Sequence, residues 1–326
     1  MDCSSKMPSN LNSMLDTGSA ALEVAVPLER GGCGNTAMGP VGLHPFGRAL
    51  RNWGYPQHGA PMHVALTVVL AWAALFLTFT ITWWVQLRTL NAGMVDPVWA
   101  ASLGGVALLM AACGTGAPIN RLCVAAGGAI WGARLALHLW QRNHAKPEDP
   151  RYRALREQWG HAAARNMFGF FQLQAVISLA LSVAFLVPAY RLDPPSSAAL
   201  SAGICIWLAS VAGEALADRQ LRRFVANPDH QGKVCRVGLW RYSRHPNYFF
   251  ECTHWLAYSA ISLGAPWFWL TLLAPVLMAW LLLKVSGIPM LEARLMQTRA
   301  GYREYVQTTS ALVPWPPRTD PRKTST

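Results

Sequence analysis

Charge is what this sequence has least of. Only 13% of its 326 residues are Asp, Glu, Lys or Arg, against about 25% in soluble domains, while 52% are hydrophobic. Such a composition excludes an ordinary soluble domain and points to a membrane protein. Paired cysteines are lacking too. The seven cysteines (Cys3, Cys33, Cys113, Cys123, Cys205, Cys235 and Cys252) form no Cys-x-x-Cys, so neither a zinc ribbon nor a disulfide framework is signalled. His44, His58, His63, His144, His161 and His230 lie in tails or loops without ligand spacing, and no metal is expected. No Gly-x-Gly-x-x-Gly follows a strand-like run, which excludes the soluble dinucleotide fold. The apolar segments do not alternate with polar residues, which excludes a transmembrane barrel, and the two halves show no transporter-like repeat.

What is there is a series of apolar runs, each to be judged against the roughly 20 residues a spanning helix needs. They cover 64–87, 97–113, 119–140, 168–187, 198–217, about 247–264 and 267–283, the last with Pro275 as an expected kink. The fold class expected is all-α, a polytopic membrane bundle of about seven helices. The sixth run is the weakest because polar residues crowd it. Fifteen Trp and eight Tyr suit the headgroup region. Residues 1–62 are rich in Gly, Pro, Ser and Asn, hold no apolar stretch long enough for a signal peptide, and are expected to be a disordered tail, with Met62 as an alternative start. The transmembrane domain is expected over 63–317, its cofactor half from about 198, and a second disordered tail over 318–326.

The net charge of +12 would suggest nucleic acid in a soluble protein. Here Lys and Arg collect in 142–165, in 218–245 and in the C-terminal tail, with little beyond Arg121 and Arg191 in the opposite loops. By the positive-inside rule those segments, and the C-terminus, are cytoplasmic. No basic helix or finger spacing accompanies them, so no nucleic-acid partner is expected.

Two polar stretches interrupt the apolar pattern. In "GEALADRQLRRF" Glu214, Asp218 and Arg222 recur at i, i+4 and i+8 and share one helix face. An ion-pair ladder within the helix would explain that spacing equally well. In "GLWRYSRHPNYFFE", Pro246 suits the first turn of a helix whose free N–H groups, flanked by Arg241 and Arg244, would form an anion site. Asn247 and Glu251 follow on one face, with His254 and Trp255 about a turn further. The plainer alternative is that the arginines grip lipid phosphates and the other two tie helices together. Arg134 and His138 repeat the pattern in the third run, and Asp96 reads as an N-terminal cap of the second.

These residues, with "VSGIPMLEARLMQTRAGYREYVQTTSALVPWPP" (285–317), resemble the C-terminal half of the steroid 5-alpha-reductase-like membrane proteins. "NAGMVDPVWA" and "RNHAKPEDPRYRALREQWG" match the bacterial branch of that family, and the resemblance covers about 64–317. It implies reduction, with NADPH, of a carbon–carbon double bond in a lipidic enone, in a cavity opening to the cytoplasm. It further implies cofactor contacts by Glu214, Asp218, Arg222, Arg241, Tyr242, Arg244, His245, Asn247, Tyr248 and Glu251, with Tyr302 and Tyr305 in the segment that closes the pocket. Two departures stand out. Steroid reductases carry Asn where Glu214 aligns. Their substrate-polarising Glu and Tyr come from N-terminal helices without evident counterparts here, which leaves the proton donor open among Asp96, His138 and Tyr152.

The same region also resembles the isoprenylcysteine carboxyl methyltransferases, which share Arg-His-Pro-x-Tyr and use S-adenosylmethionine. Three arginines for phosphate, Arg222, Arg241 and Arg244, weigh toward NADPH. A lipid-binding protein without turnover is the non-enzymatic alternative. Membrane lipids and a lipidic small molecule are the expected partners, and helical spans indicate the bacterial inner membrane.

Overall fold

The computed structural model describes residues 60–285 and 287–318. The expected tails lie outside these residues, except that the first helix already begins at Ala60 and residue 318 is described. The elements are α1 (Ala60–Thr89), α2 (Val95–Cys113), α3 (Pro118–Asn143), α4 (Pro150–Trp159), α5 (Ala163–Leu181), α6 (Val183–Tyr190), α7 (Ser197–Ala226), α8 (Pro246–Ile261), α9 (Leu273–Trp280), α10 (Ile288–Thr298) and α11 (Tyr302–Thr308). No strand occurs among the described residues, and the fold is an all-α helix bundle.

Among the described residues, six helical stretches are long and apolar enough to cross a membrane: Met62–Thr89, Ala92–Cys113, Pro118–Asn143, Pro150–Tyr190, Ser197–Ala226 and Phe268–Thr298. The seven spans expected from sequence are therefore six by length and composition. The sixth expected run is α8, only 16 residues, or about 24 Å at 1.5 Å per residue. It nevertheless joins the two ends of the bundle. Asn247 near its start bonds Asp218 of α7, while the carbonyls of Ile261 and Leu263 at its other end accept from Arg191 Nη1 at 2.9 and 3.0 Å. Pro275 does not kink a helix interior. It sits in the first turn of α9, and the irregularity falls at the π-helical turn Leu281–Val285.

The most extensive helix pairs are α2 with α3 and α7 with α8. Glycine makes the first possible. A Cβ on Gly132 would lie 2.8 Å from the Ala100 carbonyl oxygen and 2.9 Å from Gly104 Cα. Small residues at such a seam let two backbones approach without side chains between them. Gly132→Leu is expected to cost about 1–3 kcal/mol by overpacking, read as a lowered unfolding temperature in detergent. An unchanged temperature would mean that the seam is looser than described.

Candidate functional site

The helices α3 and α7 run in the same direction but are not a packed pair. They touch where the Trp207 indole donates to the Gly127 carbonyl at 3.1 Å. Beyond that point long side chains cross between them. Arg134 forms an ion pair with Glu214 and reaches Asp218 at 3.4 Å, and His138 Nε2 lies 3.6 Å from the same Asp218 carboxylate. Glu214 and Asp218 of the α7 ladder are thus met by Arg134 and His138 on α3, while Arg142 one turn on pairs with Asp96 of α2. An ion-pair ladder within α7 alone is not what these residues build, since the partners come from another helix.

The polar face of α8 meets this gap. His245 occupies the N-cap and Pro246 the first turn, as its fixed φ and missing N–H favour. At the next position, Asn247 Nδ2 donates to Asp218 Oδ1 at 3.3 Å. Glu251 accepts from the indoles of Trp131 (3.0 Å) and Trp255 (3.4 Å), and His254 stacks on Trp131 at 4.5 Å between ring centres. Glu214, Asp218 and Glu251 are each buried, so three carboxylates face one guanidinium, that of Arg134. Buried charge in such excess has to be offset by protons, water or a ligand that donates hydrogen bonds. Arg134 Nε and His254 Nδ1 are buried with no hydrogen-bond partner among the described residues.

A second cluster forms around a residue that sequence reasoning missed, Glu292 of α10. Its carboxylate accepts from Arg244 Nε (2.6 Å) and Nη2 (3.2 Å), pairs with His245 Nε2 (2.9 Å) and accepts from the Tyr302 hydroxyl (3.4 Å). Arg244 Nη1 is used as well, by the carbonyls of Val306 (3.0 Å) and Thr309. Arg244 is therefore not a free cation at an anion-binding mouth. It is a buried clamp between the turn before α8 and the C-terminal helices. Burial first, and then the negative charge of Glu292, push the Tyr302 hydroxyl above its usual range, which keeps it a donor. The Tyr305 hydroxyl contacts the Trp240 carbonyl and donates to that of Ser243 (3.1 Å). Tyr305 thus pins α11 to the turn preceding α8, and Tyr302 ties it to Glu292 of α10. Arg222, Arg241 and Tyr242 are exposed at the same end.

The third cluster joins two of the proposed proton donors. Asp96 lies in the first turn of α2, but the N-cap there is Met94 and no side chain caps the helix, so the expected capping role is not the one Asp96 has. Its carboxylate instead accepts from the Tyr152 hydroxyl and from Arg151 Nη2 at 2.9 Å, with Arg142 Nη2 at 3.4 Å. Tyr152 is 4% exposed, whereas Arg142 reaches solvent over an open cleft of about 220 Å³ lined by Asn91, Gly93, Asn143, Lys146 and Asp149. Tyr248 belongs with the second cluster, its ring stacked on His245 with centroids 5.4 Å apart. His138 stands apart from Asp96 and Tyr152, beside Asp218.

A family described as protein of unknown function, DUF1295, matches residues 82–309. The chain belongs to the DUF1295 family. That family is linked to steroid 5-alpha-reductase-like proteins. None of the curated proteins and none of the solved structures matches the chain. The matched segment of this DUF1295 chain contains every residue of the three clusters, from Asp96 to Thr309.

Proposed function

We propose that this DUF1295 chain is a membrane-embedded reductase of a conjugated carbon–carbon double bond in a lipidic enone, with NADPH as hydride source. The observation that carries the reading is the Tyr152–Asp96 pair: a buried phenol bonded to a carboxylate, at the same end of the bundle as the Asp218–Asn247 contact. Reduction of an enone needs a proton for the developing enolate oxygen, and a tyrosine beside a carboxylate that can resupply its proton is a candidate donor. Methyl transfer to a carboxylate needs none.

The residues present fit the cofactor. Glu214, Asp218 and Glu251 offer buried acceptors for ribose hydroxyls and a carboxamide, and Asn247 offers both donor and acceptor. Arg222, Arg241 and Arg142, all exposed, supply cations for phosphate. When bound, NADPH supplies the hydride to the β-carbon. Tyr152 would give its proton to the enolate oxygen, Asp96 would hold the hydroxyl in place, and Arg151 and Arg142 would orient Asp96. Regain of the proton from solvent would follow the partly exposed side of Asp96. By the positive-inside rule this end of the bundle is cytoplasmic, with the chain in the bacterial inner membrane.

A second reading has its own support. Arg244 is spent on Glu292, and three buried carboxylates against one guanidinium suit a cation, which the sulfonium and amine of S-adenosylmethionine would provide. Thermal unfolding of the purified chain in detergent separates the two. At one hundred times its dissociation constant a ligand stabilises by about 2.7 kcal/mol. NADPH is expected to raise the unfolding temperature and S-adenosylmethionine to leave it unchanged. The reverse result would replace the reductase by a methyltransferase, and no shift with either would favour a lipid-binding protein without turnover.

A further inference from the structure

At the opposite end of the bundle, where α2 ends and α3 begins, an open groove of about 390 Å³ is lined by Leu108, Ala111, Ala112, Pro118, Arg121, Leu122 and Ala125. Its walls are apolar. Leu108 and Leu122 are 49% and 61% exposed and stand on either side, while three alanines keep the floor low. Both α2 and α3 belong to membrane-crossing stretches, so the groove faces acyl chains rather than water. The apolar lining gives a lipid tail no reason to avoid it, and the missing side-chain volume gives the tail a place to lie.

Arg121 breaks the apolar lining. Its Nε donates to the Ala111 carbonyl at 2.7 Å and its Nη2 to that of Ala112 at 3.3 Å, both in the last turn of α2. These bonds fix the guanidinium plane at the level where the helix ends, which is the headgroup level of a spanning helix. Nη1 has no partner among the described residues, so two N–H groups of a fixed cation remain for an anion beside the groove. A snorkelling arginine on a smooth helix would reach any neighbouring headgroup. Here the cation is immobilised and the space beneath it is shaped.

We propose that this groove is a binding site for one anionic glycerophospholipid, its phosphate on Arg121 and an acyl chain between Leu108 and Leu122. A zwitterionic lipid carries an ammonium that would lie next to the same guanidinium, so a lipid of net negative charge is selected. The site is independent of the NADPH reading and makes no contact with its residues.

The test is native mass spectrometry of the full chain released from micelles doped with equal amounts of phosphatidylglycerol and phosphatidylcholine of the same acyl chains, with glycerol phosphate as a headgroup-only probe. Both lipids offer the same phosphate to Arg121 and only the choline ammonium opposes it, so retention of phosphatidylglycerol is expected to exceed that of phosphatidylcholine by about five-fold, and glycerol phosphate should not be retained. Arg121→Gln is expected to abolish the preference, and Ala125→Phe, which fills the groove but keeps the cation, to abolish retention of both lipids. Equal retention of the two lipids by the wild type would overturn the proposal. So would binding of glycerol phosphate alone, or unchanged retention in Ala125→Phe. Should Arg121→Gln not fold, Ala125→Phe decides alone.

Discussion

Turnover of an enone with NADPH is expected to fall by about 10²- to 10⁴-fold in Tyr152→Phe, the range that a positioned acid contributes. The change removes one hydroxyl from a ring that is already buried and packed against Phe170 with centroids 6.0 Å apart. The fold should therefore survive. Two observations make the effect specific. Tyr152 donates to Asp96, so its hydroxyl is fixed beside a group that can resupply the proton, and Asp96 is held in turn by Arg151 and Arg142. Asp96→Asn should lower turnover by a smaller factor, because the amide still holds the hydroxyl but no longer stabilises it as a donor. NADPH binding, measured by the thermal shift, should be unchanged in Tyr152→Phe. A variant with full turnover would remove Tyr152 from the chemistry, and one that lost the thermal shift would place it with the cofactor instead.

The second large effect concerns stability. Removing one member of a buried ion pair leaves the other charge without a partner, at a cost of about 3–5 kcal/mol. Glu292→Ala would do this to Arg244, whose side chain is 9% exposed, and would also release His245 and Tyr302. Since Arg244 and the two tyrosines tie α10 and α11 to the turn before α8, the loss should appear first as local opening of the C-terminal segment. Limited proteolysis should cut Glu292→Ala after α9 at protease levels that leave the wild type whole. Glu292→Gln keeps the shape but not the charge and should be intermediate. If Glu292→Ala were as resistant as the wild type, the clamp would be a contact of little energetic weight.

These two effects differ in how far the sequence foretold them. The long apolar helices were legible because burial in lipid demands about 20 apolar residues in a row, and that demand is met locally. The α7 ladder was legible for the same reason, since i and i+4 share a face whatever the rest of the chain does. Its partner Arg134 was legible only as a possibility, because nothing local says that α3 and α7 run side by side with a gap between them. Glu292 was invisible. In "LEARLMQ" it looks like the polar side of any amphipathic helix, and its meaning comes from Arg244, 48 positions earlier.

Asp96 and Arg244 were read by their nearest neighbours in sequence, as a cap and as an anion site. Both turned out to be governed by partners many positions away, Tyr152 and Arg151 for the first and Glu292 for the second. The sixth expected run, α8, stands out for a related reason. A helix that meets polar groups of α7 at one end and Arg191 at the other can join the two ends of the bundle with 16 residues, although by length and apolarity it would not pass as a span. The polar residues that weaken it as a lipid-facing helix are the ones that face the gap between α3 and α7.

The most direct test is a cryo-electron microscopy structure of the full chain in nanodiscs with saturating NADPH. Density for the nucleotide between α3, α7 and α8, in contact with Asp218 and Asn247 and with its phosphates toward Arg222 or Arg142, is the expected result. Nucleotide density elsewhere, or none at a concentration that saturates the thermal shift, would contradict the assignment of this gap as the cofactor site.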